Sequence, residues 1–320
     1  MAVGRVKVSI GTAAVLGLAR VPMAVAPTTA YLMLGGRCLM NCAFCAQARD
    51  SRAAENSLSR VTWPEFELRG AILPRLVEAA AAGAIRRACL QVTAAGGVFE
   101  QALDIVRAVR EMAAVPLDVA ILPHDVEQVR QLVAAGADHI GFGLDAACAR
   151  VFRQVKGGSW ARSLALIGDT VRAFPGQAAV HLIVGLGETE REMVQRIQWA
   201  HDLGVTVGLF AFTPLRGTHL AGRPPPPLDV YRRMQAARWL IVHDLARADG
   251  MAFDALDRVI ELPTASLPEA GTPFETSGCP DCNRPFYNEQ PGGVMYNYPR
   301  PLTAEEALHA IVDMALPASG

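Results

Sequence analysis

Gly35-Gly36-Arg37-Cys38-Leu39-Met40-Asn41-Cys42-Ala43-Phe44-Cys45 carries three of the chain's seven cysteines within eight residues, at the spacing C-x3-C-x2-C. Three thiolates on one short loop can ligate three irons of a 4Fe-4S cube and leave the fourth iron open, whereas electron-carrying clusters ordinarily use four cysteines. An open iron can bind a substrate or cofactor. Zinc knuckles favour C-x2-C pairs and a closed set of four ligands. The spacing therefore points to iron and sulfide ahead of zinc or buried free thiols.

Working outward, residues 28–34 are short and apolar, the pattern of a buried parallel strand ending in a functional loop. The cysteines then sit at the C-terminal end of that strand, where barrel active sites are built. Residues 46–60 are polar and are expected to loop around the cluster, and 65–82 reads as a helix. Further strands are expected over 86–93, 117–122, 138–144, 179–184 and 206–212. Helices separate them, including 99–113, with Ala102, Ile105, Val106, Val109 and Met112 on one face, 126–135 and 188–203. Strands alternating with helices imply right-handed crossovers and a parallel sheet. Six such units predict an α/β fold, an open three-quarter parallel β/α barrel over 28–258. A helical segment over 1–27 precedes it, and an irregular extension over 259–320 follows.

Pro224 to Pro227 stiffen a surface loop before a long helix over 228–248, and 251–260 is expected to add a short strand. Residues 261–300 are irregular, and a long structureless stretch in a compact domain is usually functional. A helix over 304–316 closes the chain, opened by Thr303 and Glu306 as a capping box.

With 51% apolar residues the 320-residue chain can build an ample core, and its net charge of -1 with no basic stripe argues against nucleic acid as a partner. Seven cysteines, clustered and odd in number, read as metal ligands in a reducing compartment, the cytoplasm, rather than a disulfide framework. Arg5 and Lys7 before the apolar run 8–18, with Ala24-Val25-Ala26 beyond, look like a secretory leader. Gly11 and Gly17 interrupt that run and Arg20 closes it, so an N-terminal helix packed on the domain is expected. No run reaches the roughly 18 apolar residues that span a bilayer, so no membrane partner is expected.

C-x3-C-x-aromatic-C, with Phe44 in the aromatic slot, resembles the signature of the radical S-adenosylmethionine (radical SAM) superfamily. The resemblance implies a 4Fe-4S cluster on Cys38, Cys42 and Cys45 whose open iron is chelated by S-adenosyl-L-methionine. It also implies a 5'-deoxyadenosyl radical that takes hydrogen from an unactivated carbon, and a partial barrel. Such cofactors carry the hard chemistry and the protein positions them. Three further patches resemble biotin synthase and its relatives, over about residues 28–258. Val184-Gly185-Leu186-Gly187-Glu188 follows the fifth strand, where Gly185 and Gly187 permit close approach to adenine and Glu188 completes the motif. Asp145 stands where the relatives place a ribose-binding acid, with Gly143 in place of their asparagine. Phe212 lies in a sixth-strand segment that ends in Gly-Thr and is expected near adenine.

Biotin synthase holds an auxiliary cluster on cysteines of the second, third and fifth strands plus an arginine. Here Cys89 matches the second strand, the third offers no cysteine, the fifth has Ala179 and His181, and Arg258 matches only loosely. That auxiliary cluster cannot be assembled, which argues against dethiobiotin as substrate. Cys279-Pro280-Asp281-Cys282 is instead a tight turn presenting two thiolates, which need further ligands from elsewhere. A zinc ribbon needs a second pair that the sequence lacks. An auxiliary iron-sulfur site is favoured over zinc or a redox dithiol, with Cys89 or Cys148 as a third ligand.

The tail elements C-P-x-C-N-R-P (279–285) and Y-N-x-P-R (296–300) resemble the C-terminal region of two-component lipoyl synthases. This implies sulfur insertion into a C–H bond of an octanoyl chain on a lipoyl carrier protein, with an auxiliary 4Fe-4S cluster as sulfur donor. A partner radical SAM paralogue and an electron donor such as ferredoxin or flavodoxin come with that role. The alternative is another biotin synthase-like radical enzyme that acts on a small molecule and uses its second cluster for electron transfer.

Overall fold

The computed structural model describes residues 4–285, 287–289 and 292–316; Phe286 and Pro291 of the tail lie outside the described residues, as do 1–3 and 317–320 of the terminal segments. The chain opens with a strand, β1 (Arg5–Val8), and a short helix, α1 (Ile10–Val15), capped by Ser9 Oγ, which accepts from Thr12 N. β2 (Thr29–Leu34) is buried along its whole length. After the cysteine loop come a hairpin, β3 (Ser57–Leu58) and β4 (Val61–Thr62), and the edge strand β5 (Glu65–Glu67). A π-helical turn, Leu68–Ile72, leads into α2 (Leu73–Ala81). The alternation then runs β6 (Arg87–Val92), α3 (Val98–Met112), β7 (Leu117–Ala120), α4 (Val126–Ala135), β8 (His139–Asp145), α5 (Ala149–Val155), α6 (Trp160–Ala173), β9 (Ala178–Val184), α7 (Glu190–Asp202), β10 (Thr206–Ala211) and α8 (Leu228–Val242). A second hairpin, β11 (Ala252–Phe253) and β12 (Val259–Glu261), and the helix α9 (Ala304–Val312) follow.

The main sheet has the order β10-β9-β8-β7-β6-β2-β1-β5. The six strands from β2 to β10 in this sheet pair in parallel with their sequence neighbours. The sheet does not close, so the expected six-unit partial barrel is what the chain forms. Side chains alternate along each strand. Leu32, Leu90, Val119, Ile140, Val180 and Leu182 are fully buried in the main core. Tyr31, Met33, Cys89, Asp118, His181 and Phe210 line the lumen.

Three expectations change. The segment 1–27 begins as a strand, not a helix, because Val6 and Val8 alternate inward and β1 pairs antiparallel with β2, Lys7 opposite Met33. An unpaired β2 edge would otherwise expose a row of hydrogen-bonding groups. Residues 65–82 likewise start extended, with Phe66 opposite Val6, before turning helical. Met112 falls at the last residue of α3 and is 39% exposed, while Ala102, Ile105, Val106 and Val109 are buried.

The tail fills the gap in the barrel. Leu209 N of β10 donates to Ser277 Oγ at 2.9 Å, and Arg87 Nε donates to Pro280 O at 2.9 Å on the far side. Asn283 accepts from Thr28 N (3.0 Å) and donates to Ala26 O (2.9 Å). Asn288 returns to β10, donating to Ala211 O (2.8 Å), and Ser59 Oγ of the first hairpin donates to Tyr287 O (2.6 Å).

Candidate active site

The cysteine loop begins at Gly35, whose φ is +96° and where a Cβ would lie 2.2 Å from Thr93 Oγ1. Only glycine fits that turn. Arg37 then ties the loop to itself, donating to Ala46 O (2.6 Å) and to Ala53 O. Cys38 N donates to Gln47 O at 2.8 Å, and the Gln47 amide donates to Ser57 O at 2.6 Å. Two backbone N–H groups point at sulfur: Met40 N to Cys38 Sγ and Gln47 N to Cys45 Sγ, both 3.4 Å. Burial pushes the Cys42 thiol up to about 12 and the Cys45 thiol up to about 11. Bare thiolates are disfavoured there, and bound iron would supply the missing positive charge. Among the described residues no three ligand groups converge on one metal ion. A cube asks for something different, three thiolates each on its own iron, and this loop fits it.

Cys38, Cys42, Cys45, Phe44 and Asp145 all line one cavity of about 870 Å³. Asp145 has φ +64°, rare for a residue with a side chain, beside an irregularity in the β8–β9 pairing. Such strain clusters at functional sites. Its carboxylate is bound by Lys156 Nζ, which also donates to Gly143 O. Burial works against the Lys156 charge, but Asp145 and Cys42 outweigh it and hold the ammonium above its ordinary value. A Cβ at position 143 would sit 3.3 Å from Lys156 Nζ, so the glycine that replaces the relatives' asparagine leaves room for the lysine. Lys156 was not singled out from sequence, because nothing marks it until α5 folds back on β8.

The residues expected near adenine lie at and beyond the turn after β9. Gly185 (φ +103°) and Gly187 (φ +119°) form the turn after β9, where Gly185 N donates to Glu188 Oε1 at 2.6 Å. Burial raises the Glu188 carboxyl, and among the described residues its Oε2 has no partner. Phe212 is 2% exposed and packs on Gly185. Gly185, Gly187, Glu188 and Phe212 lie outside the lining of the cavity. The aromatic that β10 turns into the lumen is Phe210, two residues earlier.

A second cysteine group lies deeper in the same cavity. Cys89 projects from β6, paired in register with Tyr31 on β2 and Asp118 on β7. The tail brings Cys282 to 3.4 Å from Tyr31 Oη, and Cys279 beside Asp118. Burial, then Asp118, Cys279 and Cys282, raises the Cys89 thiol. Asp118 is itself held by Arg87 Nη1 (2.7 Å) and His139 Nδ1 (3.0 Å). Cys148 caps α5 beside Glu192 and does not line the cavity, so Cys89 is the cysteine the fold brings to the tail pair. Arg258 pairs with Asp254 on the surface. Arg284 occupies the lumen instead, 3.8 Å over the Phe210 ring and donating to Ser277 O at 2.7 Å. Among the described residues it pairs with no carboxylate. A half-buried cation without a counter-ion suits an anionic, thiolate-ligated cluster next to it.

The family model "Radical SAM superfamily" matches residues 32–200. Among solved structures the chain is similar to HydG, a maturase of the FeFe-hydrogenase, at 12% identity, over 67% of this chain and 50% of that one, with TM-score 0.53. HydG from Carboxydothermus hydrogenoformans gives 16% identity, 68% and 52% coverage and TM-score 0.52. Methylornithine synthase (PylB) gives 12%, 68%, 62% and 0.52. At such identities the likeness shows the fold alone, and the chain spans about half to three fifths of those proteins' length. No curated protein matches. Because the family match covers more than half of the 320 residues and takes in the whole cysteine loop, the chain belongs to the radical SAM superfamily.

Proposed function

We propose that the protein is a sulfur-inserting radical SAM enzyme of the lipoyl synthase type, acting on a protein-bound octanoyl chain. The observation that carries this reading is that Cys38, Cys42 and Cys45 at the strand ends, and Cys89, Cys279 and Cys282 deeper in the lumen, line one cavity. S-adenosylmethionine on the reduced first cluster would supply a radical that takes one hydrogen from carbon; sulfide from the second cluster would then bond that carbon as its iron–sulfur bond breaks and the iron takes up one electron. The protein's own part is placement. Lys156 and Asp145 put a buried charge pair beside Cys42, suited to the polar ends of S-adenosylmethionine. Gly141, Gly143, Ala120, Ala179 and Gly208 keep one wall of the lumen thin, while Met33, Trp63 and Phe210 make other parts apolar, leaving room for an unbranched chain.

The test incubates the anaerobically reconstituted protein with S-adenosylmethionine, a reductant and an octanoyl-lysyl peptide, with and without the partner paralogue. A mass gain of one sulfur accompanied by 5'-deoxyadenosine is expected. Deoxyadenosine without thiolated product, even with the partner, would sink the lipoyl reading and leave the superfamily membership intact. Cys282→Ala is expected to abolish sulfur transfer while S-adenosylmethionine cleavage continues.

A further inference from the structure

Cys89, Cys279 and Cys282 leave a four-iron cluster one ligand short. Most other donors in the lumen are already engaged. Tyr31 Oη accepts from Arg284 N (3.0 Å) and contacts Cys282 Sγ. Asp118 Oδ1 is shared by Arg87 and His139. Arg284 is engaged with Ser277 O (2.7 Å) and stacked on the Phe210 ring. Tyr287 packs edge-on against Phe210, ring centroids 5.8 Å apart.

His181 differs from all of these. Its imidazole faces the cavity from β9, edge-on to Phe210 at 5.3 Å, and among the described residues neither ring nitrogen has a hydrogen-bond partner. Burial, reinforced by Arg284 and Lys156 and opposed by Asp145 and Asp118, lowers its pKa to about 4, so the ring is neutral and keeps a lone pair. Its place also suits the role. The β9–β10 register sets His181 beside Gly208, and a Cβ at Gly278 would lie 3.3 Å from Gly208 Cα. The residue after Gly278 is Cys279. With glycine on both backbones, no side chain of these two residues stands between His181 and the start of the tail's cysteine turn.

We propose that His181 is the fourth, non-cysteine ligand of the cluster held by Cys89, Cys279 and Cys282. The inference rests on the reading that this group holds a cluster. Imidazole in place of thiolate raises a cluster's reduction potential. It also gives one iron a neutral ligand, which leaves more readily than a thiolate when the cluster is dismantled for its sulfur.

The test uses the full chain with Cys38, Cys42 and Cys45 all changed to alanine, so that any cluster left belongs to the second group. Reconstituted and reduced, this protein is expected to hold about four irons and to show, in pulsed EPR, a directly bound nitrogen that shifts on nitrogen-15 histidine labelling. Adding His181→Cys keeps the iron and removes the nitrogen coupling, whereas His181→Ala loses iron to a chelator several-fold faster. A four-iron cluster without that coupling, or a coupling that survives His181→Cys, overturns the ligand assignment and leaves two clusters standing. About four irons in the unmutated protein, with none in the triple variant, removes the second cluster and the assignment together.

Discussion

Lys156 and Asp145 meet inside the cavity with side chains 10% and 13% exposed. Taking one partner away strands the other charge, at a cost of about 3–5 kcal/mol. Lys156→Met is expected to lose that much in urea unfolding, and Lys156→Met with Asp145→Asn to recover most of it. Additive losses would show that the two do not act as a pair. The first cysteine group was legible in the sequence because its ligands are contiguous and their spacing carries the chemistry. Lys156 and Arg284 were not, since what each meets, Asp145 and the Phe210 ring, is brought near only by the fold. Phe212 shows the same limit. The sixth strand was found, but which of Phe210 and Phe212 faces inward depends on where the strand ends.

At the level of elements, patterning identified all six parallel strands to within two residues at either end, because buried apolar runs between glycines leave little choice. The N-terminal strand was missed because alternation over Arg5–Val8 is too short to stand out from the apolar run that follows. The closing helix α9 starts where its cap predicts, though it ends at Val312 and not at 316: Thr303 Oγ1 accepts from Glu306 N and Thr303 N donates to Glu306 Oε2 at 2.8 Å. Arg300, ahead of Thr303 N–H, holds the Glu306 carboxyl at about 2, below its ordinary 4.5. The folded value lies below the unfolded one. The stabilisation is therefore complete above pH 4.5 and is lost as pH falls towards 2. Arg300 is 45% exposed and Glu306 28% exposed, so screening limits the effect to about 1 kcal/mol. Amide protection in α9, taken relative to the intrinsic exchange rate at each pH, is expected to fall over that window, and Glu306→Gln to flatten the pH response. A second tie is the bidentate Arg233–Glu190 pair (2.9 and 2.6 Å), both side chains under a tenth exposed, which joins α8 to α7 while Glu190 also accepts from Val259 N. Glu190→Ala is expected to cost about 3–5 kcal/mol in chemical denaturation.

For the molecule as a whole, the tail is both a wall of the lumen and the source of two of its thiols. Asn283 anchors it to the residues before β2 by hydrogen bonds to Thr28 N and Ala26 O. Asn283→Ala is expected to cost about 1–3 kcal/mol and to speed chelator removal of iron from the second group while the first group's iron loss is unchanged. Equal effects on both would mean that the tail supports the whole barrel. Tyr31 and Cys282 also meet across 251 positions of sequence. The first cysteine group closes a loop of eight residues and needs little more than β2 and its turn. The second group exists only after the barrel has formed and the last part of the chain has returned to it, a closure whose entropy cost rises with the logarithm of loop length. The first group can therefore assemble without the long-range closure that the second one needs. A chain whose tail has not docked holds the three thiols of the first group but lacks two of the three that line the deeper one.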